Sequence, residues 1–309
     1  MADKKVAEQY YAPPPKLGKW EGFKLFLWNS ETSQCLGRTG SSWAKILFFY
    51  ILFYAALAGF FAAMLAVFYQ TLENDKPKWQ LDNGLIGSNP GLGFRPMPPE
   101  ENIESTLIWY DSKKLDQHWL DSINEFVDSI DRLPVQNRVN CSFDNPAPEG
   151  KICRLELTEF KACNKEEEYG YRRGRPCIFL KLNKIYNWIP DTYKTAEDLP
   201  KDMPKDLSSH IADQVEMNKP TNIVWVSCEG ENPADQENLK SVMYHPRRGF
   251  PGYFFPFKNI EGYMPPVVAV ELDVATGVLI NIECKAWARN IHHDRSERKG
   301  SVHFELMVD

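Results

Sequence analysis

The sequence predicts a type II single-pass membrane protein, with one transmembrane α-helix followed by a mainly-β ectodomain. Three observations carry this. Residues 46–72, between Lys45 and Glu73, are 27 consecutive uncharged positions. Beyond residue 138, apolar residues recur at alternate positions, the period of a half-buried strand. Six of the seven cysteines follow the apolar run, and only Cys35 precedes it.

Residues 1–45 read as a cytoplasmic tail. Its first 20 residues, with Pro13, Pro14 and Pro15, carry too little apolar surface to fold alone. Residues 46–72 then form a helix of roughly 40 Å, against about 30 Å of hydrocarbon. A cleaved secretory signal has a core of only about 7–15 apolar residues close to the first Met. This run reads instead as a transmembrane signal anchor. Lys4, Lys5, Lys16, Lys19, Lys24, Arg38 and Lys45 precede it, while Glu73, Asp75 and Asp82 dilute Lys76 and Lys78 beyond it. That bias places the amino terminus in the cytoplasm. An even set of cysteines (Cys141, Cys153, Cys163, Cys177, Cys228 and Cys284) places the rest in an oxidising compartment. Asn140-Cys141-Ser142, the one glycosylation acceptor pattern, lies on the same side.

Residues 73–100 are rich in Pro and Gly and read as an irregular stalk. Residues 101–309 form the ectodomain. Leu115, Trp119, Ile123, Phe126 and Ile130 are spaced by four, four, three and four, which makes one packing face of a helix that Pro134 closes. Period-two stripes follow. They are Cys153, Leu155 and Leu157; Val224, Val226 and Cys228; Ile280, Ile282, Cys284 and Ala286; and Val302, Phe304, Leu306 and Val308. Strands separated by turns predict an antiparallel sheet or sandwich. Cysteines on the apolar sides predict bridges that cross or flank a core. Spacing alone leaves about 15 connectivities for six cysteines.

The chain carries no phosphate loop, no dinucleotide-binding glycine pattern and no nucleophile elbow. His292, His293 and Asp294 are adjacent, and neighbours on a strand point to opposite faces, so no metal site is expected there. A net charge of −6 without a long basic cluster argues against nucleic acid. No cofactor is expected. In the apolar run Ala55, Gly59 and Ala63 are spaced by four, as are Ala58, Ala62 and Ala66. Small residues at that spacing let another helix approach. Tyr50, one turn from Tyr54, sits near the interface, where tyrosine is favoured.

The stretch Tyr169-Gly170-Tyr171-Arg172-Arg173-Gly174-Arg175-Pro176-Cys177, running on to Lys181-Leu182-Asn183-Lys184, resembles the signature of P-type ATPase beta subunits. The likeness extends to Phe49–Tyr54, Tyr253–Phe257 and Asn281–Trp287, and the chain closely resembles sodium/potassium pump beta subunits of the nervana type. The resemblance implies an immunoglobulin-like β-sandwich with an added helix, and bridges Cys141–Cys153, Cys163–Cys177 and Cys228–Cys284. Loops of those lengths would contribute about 3, 3 and 4 kcal/mol by chain entropy. It further implies a non-catalytic plasma-membrane subunit. Such a subunit assembles with the catalytic alpha subunit, helps it fold and leave the endoplasmic reticulum, and tunes its cation affinity. Tyr50, Phe53, Tyr54 and Gly59 would contact the alpha subunit in the lipid bilayer. Tyr253, Phe254, Phe255, Pro256 and Phe257 would lie near its outer loops, sandwich core being the other reading of that segment. A small regulatory single-span subunit is a further implied partner. The chain departs from the family pattern at Ala162, where many members carry Asn, and in a short Cys141–Cys153 loop.

Three functions compete: a sodium/potassium pump beta subunit (or a proton/potassium one), a type II cell-adhesion protein, and a luminal enzyme. The last requires converging acids, and the sequence offers none.

Overall fold

The computed structural model of the chain describes residues 18–102, 104–294, 296, 297 and 299–309. Pro13, Pro14, Pro15, Lys4, Lys5 and Lys16, used above in reading the tail, lie outside the described residues. The chain divides after Glu73 into two compact units.

The first unit begins with helix α1 (Lys19–Leu27). A small antiparallel ladder follows, made of β1 (Trp28–Asn29), β2 (Gln34–Cys35) and β3 (Arg38–Thr39). Helix α2 (Gly40–Gln70) completes it. It starts six residues ahead of the apolar run, because no proline interrupts Gly40–Lys45. It ends where the Thr71 amide and hydroxyl both donate to the Phe68 carbonyl, at 2.9 and 2.8 Å. At about 1.5 Å per residue it is roughly 46 Å long. Among the described residues it is the one helix long and apolar enough to cross a bilayer.

The second unit contains β4 (Leu92–Arg95), β5 (Leu107–Tyr110), α3 (Gln117–Asp131), β6 (Arg138–Val139), β7 (Ile152–Cys153) and β8 (Cys177–Leu182). It continues through α4 (Lys205–Glu216), β9 (Ile223–Gly230), α5 (Pro233–Asn238), β10 (Leu239–His245) and β11 (Gly249–Pro251). The last three strands are β12 (Val267–Val274), β13 (Leu279–Trp287) and β14 (Ser301–Val308). Two large sheets form, in the orders β10-β12-β8-β4 and β11-β9-β13-β14-β5, beside the two-stranded β6-β7. Together with α3 they make the immunoglobulin-like sandwich with an added helix.

Alternation dictates the core. On β13, Ile280, Ile282, Cys284 and Ala286 are fully buried, while Asn281, Glu283 and Lys285 stay partly exposed. Phe304 on β14 meets Phe94 of the opposite sheet, ring centroids 5.3 Å apart. Helix α3 is capped by the Asp116 carboxylate, which accepts from the His118 amide at 3.0 Å. Trp119, Ile123 and Ile130 are buried from its apolar stripe. The Trp119 indole donates to the Trp109 carbonyl on β5 (3.0 Å), and the His118 ring donates to the Met97 carbonyl just past β4 (3.1 Å). The helix therefore covers the edge strands of both sheets, which protects them from stray pairing. Helix α4 builds a second, smaller core on the outer face of the five-stranded sheet, from Leu207, Ile211, Trp225 and Trp287.

Three sequence expectations change. The stretch read as a stalk, 73–100, contains β4, with Leu92 and Phe94 in the core. Pro90, Gly91 and Pro96 flank it and Gly93 lies within it, which disguises an edge strand. The stripe Cys153, Leu155, Leu157 is not one strand. Only Ile152–Cys153 pairs, parallel to β6, and a 3-10 turn begins at Leu157. The sandwich is also not wholly antiparallel, since β14 runs parallel to β5.

Candidate partner-binding surfaces

In α2 the aromatic residues stack along the axis. Tyr50 and Tyr54 ring centroids lie 6.1 Å apart, and Phe49 and Phe53 lie 6.2 Å apart. Side chains at i and i+4 follow one another on a helix face, so these pairs are a direct product of spacing. Between residues 53 and 67 the surface separates by size instead of polarity. At about 100° per residue, Ala55, Ala56, Ala58, Gly59, Ala62, Ala63 and Ala66 occupy one arc of about 160°; Phe53, Tyr54, Leu57, Phe60, Phe61, Met64, Leu65 and Val67 occupy the other.

Gly59 does not share a helix face with Tyr50, Phe53 and Tyr54. Gly59 lies about 120° around the helix from Phe53, about 140° from Tyr54 and about 180° from Tyr50. A single neighbouring helix cannot touch all four. A Cβ added at Gly59 would meet nothing within 4 Å, so nothing in the chain's own fold requires glycine there. Glycine inside a helix costs about 1 kcal/mol relative to alanine.

In the second unit, Tyr253–Phe257 is largely occupied by its own domain. Phe254 is 7% exposed, so most of its side chain packs within its own domain. Tyr253 packs edge-on to Phe143 (5.2 Å) and Phe255 to Trp188 (5.4 Å), and the Phe257 ring is tilted against Tyr263 (4.9 Å). Burial raises the Tyr253 hydroxyl pKa, and that of Tyr263 well above the ordinary range. The Tyr263 hydroxyl donates to the Phe254 carbonyl at 3.2 Å. Tyr253, Phe255 and Phe257 remain half-buried, with one edge each accessible. Pro256 is also half-buried and follows a cis peptide bond.

Within the resemblance, the stretch Tyr169–Cys177 forms a knot that ties several elements of the domain together. Tyr169 and Gly170 are left-handed, at φ 51° and 77°. A Cβ on Gly170 would lie 2.1 Å from the Arg175 carbonyl oxygen. The Tyr169 hydroxyl donates to Asn124 on α3 (2.8 Å). Tyr171 is fully buried 4.8 Å from Tyr110 on β5, and burial holds its hydroxyl far above the usual pKa. Arg175 lies 3.4 Å from Glu271 on β12, a buried carboxylate that also faces His245 on β10 at 3.2 Å. A polar side chain that deep is tolerated only with such partners.

Disulfides join Cys141 to Cys153, Cys163 to Cys177 and Cys228 to Cys284. The last pair sits directly opposite on β9 and β13. It staples neighbours inside one sheet and does not cross the core, as the sequence reading had allowed. Asn140 is exposed beside the first bridge, at a cleft of about 310 Å³ shared with Phe143, Arg154, Arg247 and Tyr253. The His293 ring donates through Nε2 to the Ala286 carbonyl (2.8 Å), and the Asp294 carboxylate accepts from the Ser296 hydroxyl (2.6 Å). His293 is thus tied to β13, and Asp294 is engaged within its own loop.

Comparison with known proteins gives these surfaces a context. The sodium / potassium ATPase beta chain family matches residues 14–304. The sodium/potassium-transporting ATPase subunit beta-2 of Drosophila melanogaster is 50% identical over 98% of this chain and 96% of its own length. Subunit beta-1 of the same organism is 38% identical over 96% of this chain and 95% of its own length. The human subunit beta-2 is 31% identical, over 94% of each chain. With a match spanning nearly every described element, the chain belongs to the sodium/potassium ATPase beta chain family.

Proposed function

We propose that this chain is the non-catalytic accessory subunit of a sodium/potassium pump, holding the catalytic alpha subunit within the bilayer and outside it. Family membership supplies the frame. The observation that carries the reading is Gly59, a helix-weakening residue whose added Cβ would meet nothing within 4 Å, on a face that between residues 53 and 67 is made only of Ala and Gly. Such a face suits close backbone approach by a foreign helix. The aromatic face with Tyr50, Phe53 and Tyr54 then meets a second element, so α2 lies in a groove between two helices of the alpha subunit. A small regulatory single-span subunit is a further candidate neighbour. On the outside, Tyr253, Phe255 and Phe257 offer their accessible edges to the alpha subunit's loops.

The orientation is type II at the plasma membrane, with α2 as uncleaved signal anchor and the disulfide-bonded unit extracellular. Asn140 is the glycan acceptor. The accessory role comprises folding the alpha subunit, releasing it from the endoplasmic reticulum and adjusting its cation affinity.

Co-expression tests this. With the alpha subunit present, the chain should co-purify with it in mild detergent and reach the surface; without it, the chain should stay in the endoplasmic reticulum. Gly59→Leu should reduce co-purification several-fold, because a large side chain separates the backbones. Surface arrival alone, as a solitary monomer, would overturn the proposal, and cell aggregation under those conditions would favour the adhesion protein.

A further inference from the structure

Helix α1 places Trp20, Phe23, Phe26 and Leu27 within an arc of about 120° that also holds Lys19; Lys24 borders Trp20, and Glu21 lies opposite with Leu25. Those four apolar side chains are 68, 50, 53 and 43% exposed. Trp20 and Phe23 stack at 6.0 Å, and the Lys24 ammonium lies 5.8 Å over the Trp20 ring. An apolar patch of this size left open to water marks an interaction surface.

Its depth is fixed by the chain itself. From Gly40 to Lys45 helix α2 rises about 7–8 Å, close to the roughly 5–8 Å that headgroups occupy on each side of a bilayer. Trp43 therefore sits at headgroup level, and its indole donates to the Cys35 carbonyl at 2.9 Å. Cys35 pairs with Trp28, and the Leu36 amide donates to the Leu27 carbonyl at 3.2 Å. These bonds tie the end of α1 to the first turn of the membrane helix. Within residues 18–45, Lys19, Lys24, Arg38 and Lys45 outnumber Glu21 and Glu31. We propose that α1 lies in the membrane interface, in the leaflet that holds the amino-terminal end of α2. Its aromatic face enters the acyl boundary, and its basic residues meet anionic headgroups. Aromatic side chains favour that zone, and an amphipathic helix beside basic residues is the chemistry of an interfacial anchor. The inference needs only that α2 spans the bilayer, and does not depend on which partner α2 binds.

The test uses the full chain, co-expressed with its catalytic subunit and placed in nanodiscs containing phosphatidylserine. In a Cys35→Ser background, nitroxides are attached one at a time at Phe23→Cys, Phe26→Cys, Glu21→Cys and Lys24→Cys. The ratio of collisional access by oxygen to that by a water-soluble nickel chelate should be several-fold higher at 23 and 26 than at 21 and 24. Nickel-dominated access at all four positions overturns the proposal. So does shielding of 23 and 26 from both reagents, which would mean that protein covers the face. The chain without substitutions, labelled at Cys35, guards against a misfolded variant. A nickel-chelating lipid in the disc should broaden its spectrum, and an unbroadened spectrum refutes the headgroup-level placement.

Discussion

Gly170 shows how one residue sets the knot that carries the family resemblance. At φ 77°, with the Arg175 carbonyl oxygen 2.1 Å from where a Cβ would stand, it admits no side chain. Gly170→Ala should cost about 1–2 kcal/mol for the left-handed backbone alone, with the clash added. Thermal melting of the detergent-solubilised chain should show the loss, and an unchanged midpoint would mean the loop rearranges freely. His293 predicts a pH dependence. Burial lowers its pKa below the usual 6.5, so below that value the unfolded chain takes up the proton first. The stability contributed by neutral His293 is complete above about pH 6.5 and falls as pH drops towards the lowered folded-state pKa. His210, also depressed chiefly by burial, acts in the same direction. Glu229, raised by burial, opposes them nearer its own range. His293→Asn should flatten the acid-side decline in melting temperature; an unaltered slope would remove His293 as a contributor.

Elements show where local sequence suffices and where it fails. The stripe on α3 and the alternation on β9, β13 and β14 were legible because their period is written into consecutive residues. Strand β4 was not, since its four residues lie among Pro and Gly and pair with β8 some ninety positions away. The Cys228–Cys284 bridge joins two strands already in register. Its removal as Cys228→Ser with Cys284→Ser should still cost several kcal/mol, about 4 by loop entropy, against a typical net stability of about 5–15 kcal/mol. Denaturation midpoints and surface biotinylation would both register it, and normal values in both would make the bridge dispensable.

At the scale of the molecule, the cores of the large unit draw on residues from Leu81 onward and on none from α1 or α2. Residues 74–309, secreted as a soluble fragment with its bridges formed, should therefore unfold in a cooperative thermal transition. A broad or absent transition would show that the membrane segment supports the fold. The candidate contacts were only partly legible. Spacing revealed the small and aromatic residues of α2, but their separation onto different faces follows from the helix being unbroken through Gly40–Gln70. In Tyr253–Phe257 sequence could not choose between core and contact. Packing buries Phe254 and leaves its aromatic neighbours half-buried.

By itself the sequence determined that one helix spans a bilayer, that alternating strands build the large domain and that cysteines bridge it. Each of these depends on the character of neighbouring residues, which a chain carries wherever it folds. The tertiary structure alone decided that β4 completes a sheet, that β14 runs parallel to β5, and that the third bridge lies within a sheet. Those outcomes depend on which distant segments compete for the same edge and the same buried face, and no local period encodes that competition.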